Sequence, residues 1–309
     1  MAPQVRILMG TYNGAAWLGP QLASFADQSH GDWSLWTADD GSTDATRACL
    51  VGFAAAHPGR EIRQFDGPGR GAAQNFLGLL ARPGPGDGYT AFSDQDDVWM
   101  PDKLERALAA LGAGDPGRPA VYASASYLTG PELEDPRPSP PMRRPPSFGN
   151  ALVQNVLAGN TIVLNPAAAR IARAAAPAAQ AAGVPFHDWW LYQLMTGIGA
   201  RIHADPAPGL YYRQHAENLL GENRSRKART RRSLMALNGD YAGWIDRNLA
   251  ALTPEVPLTP ENRARIDGFA RLRRRPGPTA AAELKRLGIR RQSRSGTLAI
   301  QALAMTGRL

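Results

Sequence analysis

Cysteine is nearly absent from this 309-residue chain. Cys49 stands alone, which excludes an intrachain disulfide and a thiolate metal cluster and points to a reduced, cytoplasmic setting. Long apolar runs are missing too. No stretch of about 18 or more apolar residues occurs, so a membrane-spanning helix is not expected. The first nine residues enter a strand-like run without a charged segment followed by an apolar one, which argues against a secretory leader. No internal repeat is visible. The chain does not lack material for a core: 43% of it is hydrophobic and 20% charged. That length suits one large α/β domain with an appendage, or two modest domains.

The charge is unbalanced. A net charge of +8 and a pI near 10.0 suit a partner that is nucleic acid, an anionic membrane surface or a phosphate-bearing substrate. The first hundred residues mix both signs, whereas the last hundred are Arg-rich. Arg224, Arg226, Lys227, Arg229, Arg231 and Arg232 form one cluster. Arg271, Arg273, Arg274 and Arg275 form a second, and Lys285, Arg286, Arg290, Arg291 and Arg294 a third.

Short apolar runs alternate with helical patterns through the first half. Strands are expected at 5–9, 33–38, 61–65 and 89–93. Helices are expected at 17–28, from 42 or 43 to about 56, from 71 to 80, and from 101 to 111, where Pro101 suits a first turn. This βαβ rhythm predicts a mostly parallel sheet with helices on both faces. Further on, a strand is expected at 120–128, and an extended, mobile Pro/Arg-rich loop at 131–146. A strand at 161–164, helices at 166–176 and 189–196, and two closing strands at 201–205 and 210–214 follow. Beyond about 221 the pattern turns helical and basic.

In an open parallel sheet, ligands bind at the carboxyl ends of the strands. Four polar clusters follow four successive strands: Thr11-Tyr12-Asn13, Asp39-Asp40, the 67–71 loop with Arg70, and Asp94-Gln95-Asp96-Asp97. An aspartate after a strand is often only a turn residue or helix cap. That accounts for one cluster, and less well for four on one rim. Three carboxylates in four residues repel one another unless a cation lies among them, and hard oxygen donors suit Mg²⁺ or Mn²⁺. The 67–71 glycine loop lacks the Lys-Ser/Thr ending of a phosphate loop and is weak by itself. His57 and His203 belong to no cluster.

The wording of these motifs resembles glycosyltransferase family 2: ILMGTYN at 7–13, WTADDGSTD at 36–44 and FSDQDDVWMPDKL at 92–104. The likeness continues through Arg70, Asn75-Phe76, His187-Asp188-Trp189-Trp190 and Tyr212-Arg213-Gln214-His215. It runs in order over roughly residues 5–220, and its details most resemble the bacterial rhamnosyltransferase-like branch. The resemblance implies a GT-A fold, with a nucleotide-sugar half at about 1–128, an acceptor half at about 147–220 and a basic helical extension at 221–309. It implies an inverting, metal-dependent enzyme that moves a sugar from a dTDP- or UDP-linked donor, such as dTDP-rhamnose, to an acceptor hydroxyl in cell-surface polysaccharide or glycoconjugate synthesis. The acceptor would be a saccharide or lipid-linked saccharide.

Residue by residue, Thr11, Tyr12 and Asn13 would line the base pocket, and Asp39 or Asp40 would accept the N3–H of a pyrimidine. Arg70 would lie near the base or phosphates and Asn75 would steady that loop. Asp94 would bind ribose or the metal's waters, Asp96 would ligate Mn²⁺ or Mg²⁺, and His215 would add a ligand. Asp188 is the expected general base, taking the proton from the attacking hydroxyl. It also suits a helix cap. Trp189 and Trp190 would stack on an acceptor sugar, with core packing as the alternative. His187 is expected to be structural. The basic tail suits either an anionic cytoplasmic membrane face or a solvated helix pair packed on the catalytic domain. The rival class is a non-catalytic nucleotide- or nucleic-acid-binding protein using the tail. No groove-reading motif accompanies the Arg clusters, so nucleic acid is not expected as a partner.

Overall fold

The computed structural model describes residues 3–84, 88–215 and 239–309. The Arg224–Arg232 cluster lies outside the described residues. Four strands, β1 (Val5–Thr11), β2 (Trp33–Asp39), β3 (Ile62–Asp66) and β4 (Tyr89–Ser93), lie in the order β3-β2-β1-β4, all parallel. Every residue of β2 and most of β1 are buried, as expected of central strands covered on both faces. The edge strand β3 is half exposed. Helices α1 (Ala15–Ala26), α2 (Thr46–Ala56) and α3 (Ala72–Ala81) make the crossovers.

The sheet then continues as β8 (Ile162–Leu164), β6 (Ala120–Thr129), β9 (Arg201–Arg213) and β5 (Val98–Trp99). Here β4–β8, β6–β8 and β5–β9 are antiparallel, and β6–β9 is parallel. The expected parallel sheet therefore describes the first half, and the second half is mixed. Helix α4 (Lys103–Gly112) follows β5, α6 (Pro166–Ala181) follows β8, and α7 (His187–Gly197) precedes β9. Asn165 starts α6: its Oδ1 accepts from Ala168 N at 2.9 Å, and Pro166 fills the first helical position, where no N–H is needed.

Two expectations fail in the second half. The 131–146 segment is extended but partly packed: Arg137–Pro138 (β7) pairs with β6, and Ser139 N donates to Ser126 O at 2.8 Å. The two expected closing strands are one strand, β9, whose register against β6 shifts around Ser124 and Ala125. Prolines 206 and 208 cannot donate to the ladder. Arg106 of α4 holds the irregularity instead, donating to Asp205 Oδ2 and to the carbonyls of Ala207 and Pro208.

The C-terminal helices Asp240–Ala250, Pro260–Arg273, Thr279–Arg286 and Arg294–Met305 pack against α7 and the segment around Phe148. Their buried Ile245, Phe269, Leu284 and Ile300 join a single apolar cluster with Phe148, Trp189 and Leu194. Much of the tail's arginine is used internally. Arg263 donates to the carbonyls of Leu252, Thr253 and Val256, Arg273 to those of Leu309 and Ala242, and Arg291 to Val153 O. Leu298 and Met305 remain exposed on the last helix. Among the described residues, no helix is long and apolar enough to cross a membrane.

Candidate active site

The parallel register sets Thr11 opposite Asp39 and Asp39 opposite Asp66, so the carboxyl ends of β1, β2 and β3 form one rim. Asp39 is buried and receives four hydrogen bonds, from Thr11 Oγ1 (3.0 Å), Ser42 N (2.9 Å), Ser42 Oγ (2.5 Å) and Arg47 Nε (2.8 Å). Burial pushes its carboxyl up, but the bonds from Ser42, Arg47 and Thr11 outweigh that and hold it below the ordinary carboxylate range. A base N–H reaching Asp39 would therefore have to displace one of these donors. Asp40 serves the neighbouring loop, accepting from Gly69 N and Gly71 N at 2.7 Å each. Both glycines have positive φ, +66° and +87°, so the loop that carries exposed Arg70 depends on their freedom. Asn75 is buried under that loop and donates to Ala38 O at 2.7 Å.

Tyr12 stands 58% exposed at the rim. Its backbone is gripped by Gln95, which accepts from Tyr12 N and donates to Tyr12 O, both at 2.9 Å. Asn13 adopts φ +45°, and its Oδ1 accepts from Thr43 N at 2.8 Å, tying the β1 and β2 rims together.

After β4, carboxylate oxygens of Asp94, Asp96 and Asp97 all lie within 4.8 Å of one another. Burial first, then the charges of Asp96 and Asp188, push Asp94 up to about 7. Asp97 is fully buried and raised well above the usual range, by burial and then by Asp96 and Asp94. Its Oδ2 accepts from Asn160 Nδ2 at 2.6 Å, while its Oδ1 has no partner among the described residues. Crowded, desolvated carboxylates with an open oxygen are a donor set suited to a hard divalent cation. His215, arriving from the end of β9, places Nε2 2.8 Å from Asp96 Oδ2, and its ring stacks on Trp17. The structure thus brings Asp94, Asp96 and His215 together.

Asp188 meets the same cluster from the start of α7, its charge acting on Asp94. Its Oδ2 accepts from Gly159 N at 3.2 Å. The next residue, Asn160, bonds Asp97 through its amide, and its carbonyl accepts from buried Lys103 Nζ. One 3-10 turn, Gly159–Thr161, therefore fixes both carboxylates and the lysine. Burial pulls the Lys103 ammonium well down, against the charges of Asp97 and Asp94. Sequence reasoning missed Lys103, Asn160 and Gln95. Gln95 was within reach, lying inside the acidic motif, whereas a lone asparagine before a short strand carries no signal.

Asp188 is the one residue of α7 that is only partly buried. Burial pushes its carboxyl up to about 6, although the bonds from Trp189 N, Gly159 N and Asn155 oppose this. The expectation for Trp189 and Trp190 is corrected here. Trp189 is 4% exposed, donates from Nε1 to Ala151 O at 2.7 Å and stacks on Tyr241, and Trp190 is 0% exposed. Apart from Asp188, the residues of α7 are buried against the core and the C-terminal helices, so neither indole offers a face to a sugar. His187 is structural in position: it stacks on Phe76 with centroids 4.1 Å apart, and burial pulls it down to about 3.

The model of glycosyl transferase family 2 matches residues 6–162, just over half of the chain, from β1 to the start of β8. The chain belongs to that family. The match contains the Thr11, Asp39 and Asp94–Asp97 clusters and ends before Asp188 and His215. RfbG, a dTDP-rhamnosyl transferase of Shigella flexneri, is 28% identical over 262 residues, 80% of this chain and 85% of the relative. WfgD of Escherichia coli, a UDP-Glc:alpha-D-GlcNAc-diphosphoundecaprenol beta-1,3-glucosyltransferase, is 26% identical over 107 residues, 35% of this chain and 40% of the relative. Among solved structures, Staphylococcus aureus TarS 1-349 with UDP-GlcNAc overlays with a TM-score of 0.55 at 14% identity, covering 99% of this chain and 88% of that one. The mannosyltransferase PcManGT of Pyrobaculum calidifontis, with GDP-Man and Mn²⁺, gives 0.52 at 18% identity, covering 100% and 86%. At such identities these likenesses bear on the fold alone, a GT-A architecture. The enzyme is a glycosyltransferase, and the nucleic-acid alternative finds no support.

Proposed function

We propose that this glycosyltransferase moves a sugar, with inversion, from a dTDP- or UDP-linked donor to an acceptor hydroxyl, using Asp188 as general base. The observation that carries the reading is Asp188 itself, a single accessible carboxylate on an otherwise buried helix, held by the turn that also holds Asp97. The likeness to a dTDP-rhamnosyl transferase over 80% of this chain and 85% of that relative favours dTDP-rhamnose as donor.

In this reading the pyrimidine lies on Tyr12 between Thr11 and the Asp39 rim, with Arg70 over the base or phosphates. Asp94 and Asp96, with His215, would hold Mn²⁺ or Mg²⁺, which would neutralise charge growing on the diphosphate leaving group. Asp188 orients the acceptor hydroxyl and takes its proton as the oxygen attacks the anomeric carbon. Its raised pKa makes it a stronger base than a solvated aspartate, yet it stays ionised near neutral pH. Lys103 and Asn160 keep the two carboxylate sites in register without touching substrate. The acceptor is a saccharide or lipid-linked saccharide. The reaction belongs on the cytoplasmic side, with the basic C-terminal helices facing an anionic membrane surface.

A panel of nucleotide sugars tests this, read by release of nucleoside diphosphate with Mn²⁺, Mg²⁺ or EDTA. Metal-dependent turnover of dTDP-rhamnose is expected. Turnover equal in EDTA sinks the metal assignment, and a clear preference for another donor replaces rhamnose.

A further inference from the structure

On the acceptor half, a cavity of about 370 Å³ opens between the segment leading into α5 (Phe148–Ala151) and the start of the last helix. It is lined by Arg143, Arg144, Gln292, Ser293, Arg294 and Ser295, and no carboxylate is among them. The two walls are locked together. Gln292 Oε1 accepts from Arg144 N at 2.8 Å, and its Nε2 donates to Arg144 O at 3.0 Å. Below, Gln292 N donates to Gln154 Oε1 at 2.8 Å, and Asn150 Nδ2 donates to Arg290 O at 3.0 Å. Elsewhere in the tail, Arg263, Arg265 and Arg273 are used on carbonyls and acids. The guanidinium groups of Arg143, Arg144 and Arg294 make neither a hydrogen bond nor an ion pair among the described residues.

Three like charges gathered in one preformed hollow repel one another, and scattering or pairing them would relieve that cost. A bound anion also relieves it. Guanidinium forks match the oxygens of phosphate better than any other anion-binding side chain does. The volume admits a diphosphate. We propose that this cavity binds a phosphate or diphosphate group, and that the group belongs to the acceptor rather than to the donor.

The second half of the statement rests on the transferase reading. None of the lining residues comes from β1 to β4, whose ends form the nucleotide rim. The cavity floor is tied to the base through the chain: Gln154, which accepts from Gln292 N, is followed by Asn155, whose side chain bonds Asp188. An anionic group held here would anchor the acceptor while its hydroxyl reaches Asp188.

Calorimetry of the full chain with inorganic diphosphate in EDTA tests the site, comparing wild type with the Arg143→Gln/Arg294→Gln double variant. Both residues are exposed, so the fold should survive, and unchanged UDP or dTDP affinity with Mn²⁺ verifies it. The variant should bind diphosphate at least about tenfold more weakly. Equal affinity in the variant, or displacement of the diphosphate by excess UDP, overturns the proposal. Sedimentation with phosphatidylglycerol and phosphatidylcholine vesicles then identifies the source. Pelleting with phosphatidylglycerol only, lost in the variant, assigns the anion to a membrane lipid headgroup and overturns the acceptor assignment. Arg-dependent diphosphate binding without pelleting assigns it to a soluble phosphorylated acceptor. A chain that binds diphosphate in this way but turns over no nucleotide sugar keeps the cavity and loses the acceptor assignment.

Discussion

Asp188 and Asp96 occupy neighbouring sites but should fail in different ways when changed. In Asp188→Asn the amide keeps the size and still accepts the Gly159 N–H through its oxygen, so the helix start should hold. It cannot take a proton, and loss of a general base typically costs about 10² to 10⁴ in rate. The fall should appear in kcat with near-normal donor affinity, because Asp188 does not hold the nucleotide. Wild-type rate at saturating metal should drop about tenfold per pH unit below about 6, where Asp188 takes up its proton, and the variant should lack that limb. Asp96→Asn should weaken donor and metal together, since it removes the His215 partner and a cluster carboxylate. A fully active Asp188→Asn enzyme would remove the base assignment. The gathering of Asp94, Asp96 and His215 was legible at this scale because their residue types carry charge and ligand atoms. Trp189 and Trp190 were misread because an indole's type does not say whether it faces a cleft or a core. Only the packing of α7 decides that.

Elements were legible where local pattern and tertiary burial agree. β1, β2 and β4 are mostly apolar and buried in central positions, and Asn165-Pro166 announces α6 by cap chemistry. The two-residue strands β5 and β7, and the unbroken β9, carry no such pattern. They exist because distant groups hold them: β9 pairs with β5, β6 pairs with β7, and Arg106 holds the Asp205 carboxylate and the Ala207 and Pro208 carbonyls of β9. The seam between α5 and the C-terminal helices belongs to the same class, and one glycine tests it. A Cβ on Gly149 would lie 2.4 Å from Gly288 O and 3.0 Å from Gly288 C, both backbone atoms. Gly149→Ala should therefore force the 288–289 backbone away from α5 and destabilise the fold by about 1–3 kcal/mol. Urea unfolding should show a lower midpoint, with nucleotide affinity retained under native conditions. An unchanged midpoint would mean that α5 and the tail do not approach this closely.

Taken as a whole, the molecule makes its basic extension part of the catalytic body. Charge patterning alone left two readings open, membrane docking or packing, because a stretch rich in arginine looks solvated. The structure adds that arginine does internal work there, closing carbonyls at helix ends, while Ile245, Phe269, Leu284 and Ile300 enter the core that supports α7. Tyr241 stacks on Trp189 and donates to Val153 O, and Asn262 donates to the carbonyls of Thr196 and Gly197 at the end of α7. Removing residues 239–309 would uncover the face of the helix that presents Asp188. A chain ending at residue 238 should thus not behave as a trimmed enzyme. Fully burying one large apolar side chain contributes about 1.5–3 kcal/mol, and net domain stability is only about 5–15 kcal/mol, so losing partners for several such residues should abolish cooperative unfolding. Circular dichroism on heating and dye binding to exposed apolar surface measure this directly. The expected result is a broad transition, strong dye binding and no transfer. A truncated chain that melts sharply and still transfers sugar would show the extension to be a separable module, leaving its charge free for a membrane role alone.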